Sequence, residues 1–361
     1  MKLKIDKNKS YAIALEGGGA RGGYEIGVWQ ALDEAGITFE AVSGTSVGAL
    51  NGAMYAMGDL AKAVSVWEHM ELTNVIEAPE GNVDNLRKMV SGKFDLKDVK
   101  ELAPGMRGIL KNKGLDVTPL RNWVREVVEP AKIRETGIRL FATTVDLSEK
   151  KGLVVEINTL PDEEMCDMLL ASAYHPTFKL EKLGGKLYAD GGFIDSLPIT
   201  PLTDAGYREI IAVHIPGMGV DLHDRLPKDT VIHHIRPDED LGGVLNFDST
   251  QAQHDMLLGY LDCQRMLYGL LGKHYYIDKT ISNRKALDLL LQYFSKKDAN
   301  VKRLRDICEI KIPAAALSLG QLAGDYYDIL LALSEEKATA AGLDRYRVYT
   351  DAEFAKLSLG L

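Results

Sequence analysis

The sequence predicts an α/β fold built on a mostly parallel sheet, and two observations carry that reading. Between residues 11 and 57, short apolar runs alternate with helical periodicities in the order β-α-β-α. Strands separated in this way by a helix pair in parallel through right-handed crossovers. Further apolar runs, REIIAVHI and TVIHHI, then add strands before the chain turns helical from Ser249.

Taken in order, YAIAL (11–15) is short, apolar and partly β-branched, and reads as a buried strand. EGGGARGG follows, and then Tyr24, Val28, Leu32 and Ala35 recur at helical spacing until Gly36 offers a stop. TFEAVSG predicts the second strand. VGALNGAMYAMG predicts the second helix, with Gly48, Gly52 and Ala56 as a smooth stripe for close packing. Asp59 caps a third helix, and residues 73–117, rich in glycine and proline, read as surface loops with short helices and a candidate lid. TPLRNWVREVV starts a helix with Thr118 as its cap and Pro119 in the first turn. IRLFATTVD and LVVEIN are strands joined by the polar turn LSEKKG, and PDEEMCDMLLASAY is a helix halted before Pro176. The expected division is a catalytic domain over 10–203 and a region over 204–361 that holds the remaining strands to about residue 236 and is then mainly helical.

Bulk properties bound the function. The chain has 361 residues, 46% hydrophobic and 26% charged, which is ordinary globular composition. A net charge of −9 and a pI near 5.5 argue against a nucleic-acid partner, which needs a broad basic face. Cys166, Cys263 and Cys308 are widely spaced and odd in number, with no C-x-x-C pair, so a reducing cytoplasm is expected. The lysine-bearing start, MKLKIDKNK, lacks the apolar stretch of a signal peptide and reads as a solvated tail, with contact to an anionic membrane surface as the alternative. No apolar run approaches a spanning length, so a soluble protein is expected. No His/Cys/Asp cluster has ligand spacing, so neither a metal nor an organic cofactor is expected.

Chemistry is concentrated in three short patches. Gly44-Thr45-Ser46-Val47-Gly48 is a G-x-S-x-G pattern set between a predicted strand and a predicted helix. That sharp turn crowds its neighbours, glycines on either side relieve the clash, and the serine hydroxyl sits at the positive end of a helix. A serine attacking an ester generates an oxyanion, which needs preorganised N–H donors. Gly17, Gly18 and Gly19, with Arg21 and Gly22, form a bare loop after the neighbouring strand that suits this purpose. The third patch, Asp190-Gly191-Gly192 in KLYADGGFIDSLP, holds a carboxylate on a tight turn where it could act as the serine's base. Read by itself it is a plain turn between strands. Two other readings stay open. Gly17–Gly22 also satisfies a dinucleotide fingerprint, although only Glu40 stands near the place for its ribose-binding acid. A Ser-His-Asp hydrolase would draw its base from one of eight histidines, but its elbow normally follows several strands, and only one β-α unit precedes Ser46.

GGGARG, GTSVG and DGG in this order, with FATTVD and ASAYHPTF between the last two, resemble the patatin-like phospholipase family over residues 10 to about 203. The resemblance implies a three-layer fold and cleavage of lipid acyl esters through an acyl-enzyme. It makes Ser46 the nucleophile, Asp190 its general-base partner and the 17–22 loop the oxyanion hole. Ser196 stands where members of the family often carry asparagine. The implied partners are a lipid or other acyl-ester substrate and, through it, peripheral contact with a membrane.

Overall fold

A parallel sheet with an antiparallel edge runs through the computed structural model, which describes residues 1–77, 114–217, 219, 226–297, 304–321 and 324–361. The candidate lid over 73–117 therefore lies mostly outside the described residues. Within them, the strands are β1 (Tyr11–Leu15), β2 (Phe39–Thr45), β3 (Arg139–Asp146), β4 (Lys151–Glu156), β5 (Tyr188–Asp190), β6 (Glu209–Val213) and β7 (Val231–Ile235). Their order is β4-β3-β2-β1-β6-β7, with β5 also paired to β3. Pairings β1–β2, β1–β6, β2–β3 and β6–β7 are parallel, while β4 and β5 run antiparallel to β3. The α/β class and the expected strands are all present.

Alternation along the strands separates two faces. Ala12, Ala14, Ala41, Ile210 and Ala212 pack with Leu197, Ile199 and Leu202, from the segment that enters the short helix Thr200–Asp204. On the other face lies the helix after β2, Val47–Met57, every residue of which is buried. The glycine stripe explains how it fits. A Cβ at Gly48 would lie 2.5 Å from the Leu15 carbonyl oxygen, and one at Gly52 would lie 2.9 Å from Leu140 Cδ1. Helices thus cover both faces, giving three layers.

Among the remaining helices, Leu60–Glu68 is capped as expected, with the Asp59 carboxylate accepting from the Lys62 N–H at 3.1 Å. The helix Thr118–Val127 differs from expectation at its start. Val117 is the cap, and Asp116 accepts from both the N–H and the hydroxyl of Thr118, at 2.9 and 2.6 Å. A carboxylate two residues upstream takes the role that the sequence suggests for the threonine, because it reaches both donors at once.

The chain forms two compact units, Asp6–Cys263 and Met1–Ile5 with Gln264–Leu361. Strands β6 and β7 hydrogen-bond into the same sheet as β1, so the first unit continues past residue 203. In the second unit, helices Asn283–Lys297, Tyr326–Ala340 and Asp351–Leu359 bury Leu290, Leu330, Ala355 and their neighbours. That unit also holds a two-stranded parallel sheet, Tyr276–Asp278 with Val348–Thr350, which has no clear signal in the sequence. Each strand is only three residues long, too short for period-two alternation to register. Met1–Ile5 of the lysine-bearing start belong to this second unit, the Lys4 N–H donating to the Leu267 carbonyl at 2.7 Å. Among the described residues, no helix is long and apolar enough to cross a membrane.

Candidate active site

Ser46 sits at the junction of β2 and the helix Val47–Met57 with φ +56° and ψ −125°. Positive φ is unusual for a residue with a side chain and is characteristic of strained functional turns. The flanking glycines are required by space. A Cβ at Gly44 would lie 2.1 Å from the Gly48 carbonyl oxygen. The turn is pinned by two polar contacts. The Ser46 N–H donates to Ser172 Oγ at 2.9 Å, and Thr45 Oγ1 donates to the Asp195 carbonyl at 2.8 Å. Ser172 Oγ in turn donates to the Thr143 carbonyl at 2.7 Å, which fixes its lone pairs toward Ser46.

Register on β3 explains how Asp190 arrives. β2 runs parallel to β3 and places Thr45 opposite Thr143, whereas β5 runs antiparallel and places Asp190 opposite Thr144. The two strands point their C-terminal ends at each other along one edge of β3. Ser46 and Asp190 therefore meet, and Ser46 Oγ donates to Asp190 Oδ2 at 2.6 Å. The Gly192 N–H donates to the other carboxylate oxygen at 2.8 Å. Gly191 is needed for the turn, since a Cβ there would lie 2.1 Å from the Thr143 carbonyl oxygen. Burial pushes the Asp190 carboxyl up to about 6, and the hydrogen bonds from Ser46 and Gly192 hold it from rising further.

Both groups line a cavity of about 430 Å³. Its walls include Leu50, Trp67, Leu120, Trp123, Phe178 and Phe247, so it is largely apolar and of a size usual for organic ligands. Gly17, Gly18 and Gly19 also line it. The Gly17 N–H is engaged, donating to the Ser196 carbonyl at 2.9 Å. Among the described residues, no acceptor meets the N–H of Gly18 or Gly19.

Arg21 and Gly22 are not among the residues that line the cavity. Arg21, expected to lend its charge to the site, turns its guanidinium to the Gly242 carbonyl instead, at 2.8 and 2.6 Å. Gly22 makes room for packing, because a Cβ there would lie 2.5 Å from Trp67 Cζ2 and 2.7 Å from Val47 Cγ2.

Asn51 and Ser172 have no signal in the sequence. Asn51 is fully buried, donates to the Gly22 carbonyl at 2.9 Å and to Glu25 Oε2 at 2.7 Å, and accepts from Trp67 Nε1 at 2.8 Å. It ties the serine-bearing helix to the glycine loop. His175 also lines the cavity, yet its Nδ1 partner is Thr177 Oγ1 at 2.9 Å, and no hydrogen bond joins it to Ser46 or Asp190.

Comparison with known proteins places the chain in a family. The family model described as patatin-like phospholipase matches residues 13–203. An uncharacterised NTE family protein of Mycobacterium tuberculosis is 26% identical over 218 residues, covering 60% of this chain and 52% of that protein. Human patatin-like phospholipase domain-containing protein 6 is 28% identical over 216 residues, covering 59% of this chain and 14% of that protein. The chain thus spans about half the length of its mycobacterial relative and far less of the human one. Among solved structures, VipD from Legionella pneumophila superposes with a TM-score of 0.45 at 15% identity, covering 95% of this chain and 84% of that one. With the family model covering more than half of its residues, the chain belongs to the patatin-like phospholipase family.

Proposed function

We propose that this chain hydrolyses lipid acyl esters through a covalent acyl-enzyme, with Ser46 as nucleophile and Asp190 as its base. The observation that carries the reading is the direct 2.6 Å hydrogen bond from Ser46 Oγ to Asp190 beside a largely apolar cavity. Ser46 Oγ attacks the ester carbonyl carbon as its proton passes to Asp190. The carbonyl oxygen becomes an oxyanion that the Gly18 and Gly19 N–H groups are free to receive. Collapse breaks the C–O bond, and the departing alkoxide takes the proton from Asp190. Water then attacks the acyl-enzyme, gives its proton to Asp190, and the fatty acid leaves as Ser46 recovers its hydrogen. A base with a pKa near 6 is mostly ionised at neutral pH and still basic enough to share the proton in the transition state. A membrane phospholipid would bring the protein into peripheral contact with a bilayer. Cytoplasmic location belongs to the same proposal and rests on the spacing of the three cysteines.

A fluorophosphonate probe tests the nucleophile. It labels Ser46 and no other serine, and labelling undiminished in Ser46→Ala rejects the assignment. Ser172→Ala tests the support of the elbow. Stripping a buried N–H of its acceptor costs about 1–3 kcal/mol, felt here at the backbone of the nucleophile. The expected result is a kcat lower by about tenfold with KM nearly unchanged, measured on a soluble ester. An unaltered kcat in the folded variant would show that Gly44 and Gly48 suffice to hold the turn.

A further inference from the structure

The segment Asp240–Phe247 lies outside the residues that match the family model, yet Val244, Leu245 and Phe247 line the cavity that holds Ser46. It is fastened to the glycine loop at consecutive positions. The Ala20 N–H donates to the Val244 carbonyl at 2.8 Å, and Arg21 places Nε and Nη2 on the Gly242 carbonyl at 2.8 and 2.6 Å. Gly242 turns the chain there with φ +83°. The approach is so close that a Cβ at Gly19 would lie 2.0 Å from the Val244 carbonyl oxygen. Gly19 is therefore glycine for two reasons, its own φ of +58° and the backbone laid against it.

We propose that this segment is the acyl-selective wall of the cavity, and that Arg21 is a positioning residue that clamps it to the glycine loop. The inference rests on the ester-hydrolase reading and adds to it what selects the substrate. Apolar side chains at Val244, Leu245 and Phe247 suit the alkyl chain of the acyl group and offer nothing to a charged headgroup. The elbow, the aspartate turn and the glycine loop, which carry the reaction, lie within the family-matched part, while the wall that reads chain length comes from beyond it. The guanidinium of Arg21 donates twice to a main-chain carbonyl of the wall, which accounts for a long cation in a loop otherwise made of small residues.

The test is kcat/KM for p-nitrophenyl acetate, butyrate, octanoate and dodecanoate in the full chain. Phe247→Ala deepens the cavity and raises the dodecanoate-to-butyrate ratio by about tenfold, the size of effect one or two methylenes have in an apolar pocket. Leu245→Ala, a partly buried position, does the same to a lesser degree and serves should Phe247→Ala fail to fold. Arg21→Ala changes the ratio through KM, and Arg21→Lys, still able to donate to Gly242, restores part of the wild-type profile. An unchanged ratio in the wall variants overturns the proposal. So does an Arg21→Ala variant whose kcat falls equally for all four esters, because that pattern belongs to a charge acting on the oxyanion. If the wild type hydrolyses none of the esters, the catalytic reading fails, and the wall is then tested by binding. Trp67 and Trp123 line the same cavity, so their fluorescence reports titration of Ser46→Ala with the free fatty acids. Identical chain-length dependence with and without Phe247→Ala rejects the wall as well.

Discussion

Ser46→Ala lowers acyl-ester hydrolysis by at least about 10³-fold, with the folded protein intact. The hydroxyl is the only atom removed, and its one partner, Asp190, keeps the Gly192 N–H on its other oxygen. Circular dichroism and melting separate lost chemistry from lost fold. The strain at this position supplies a control. With φ at +56°, any residue bearing a Cβ is held against its preference, so Ser46→Gly melts higher than Ser46→Ala although both are inactive. Substantial turnover by folded Ser46→Ala would remove the nucleophile from the mechanism. Equal melting of the two variants would show that the turn is not strained.

Asp190→Asn removes nearly all turnover at neutral pH and at the same time stabilises the fold. The amide cannot take the serine proton, which accounts for the activity. Stability follows from burial. The carboxyl is raised from 3.8 to about 6 in the folded state, so the folded protein holds this proton more tightly than the unfolded chain. Such a group contributes stability at low pH, and that contribution is lost as pH rises through the window from 3.8 to about 6. Above the window the wild type carries a buried charge that the asparagine variant lacks. Asp190→Asn is expected to melt about 5 °C higher at pH 8 and no higher at about pH 4, where the wild-type carboxyl is already neutral. Absence of a gain at pH 8 would refute the burial argument.

Activity of the wild type should fall as pH drops through about 6, the value to which burial raises Asp190. His175 complicates that profile, because it lines the same cavity and burial lowers its titration below the ordinary 6.5. The pH limb alone therefore does not distinguish the two residues. His175→Gln does: turnover persists with the acid limb where it was if Asp190 is the base, and turnover is lost if the imidazole is. A histidine variant as inactive as Ser46→Ala, paired with an active Asp190→Asn, would replace the dyad with a triad.

The glycine loop, the elbow and the aspartate turn are legible in the sequence because their demands leave a residue type behind. Gly44, Gly48 and Gly191 are forced by backbone atoms of Gly48, Leu15 and Thr143, and a backbone too close for a Cβ leaves a glycine in the sequence however far along the chain its neighbour lies. The β-α-β-α start is legible for a different reason, since strand and helix periods appear within a dozen residues. Tertiary structure alone decides the rest. Ser46 and Asp190 are 144 residues apart and meet only because β2 and β5 approach along one edge of β3 from opposite directions. Ser172 lies 126 residues from the N–H it satisfies, and Asn51 lies 29 from the carbonyl it holds, each within an ordinary helical pattern. Arg21 reads as a charge for the site until its side chain is seen on Gly242, 221 residues away. A hydrogen bond across such distances has no period and no composition to betray it, so it exists for the reader only once the sheet has brought its two ends together.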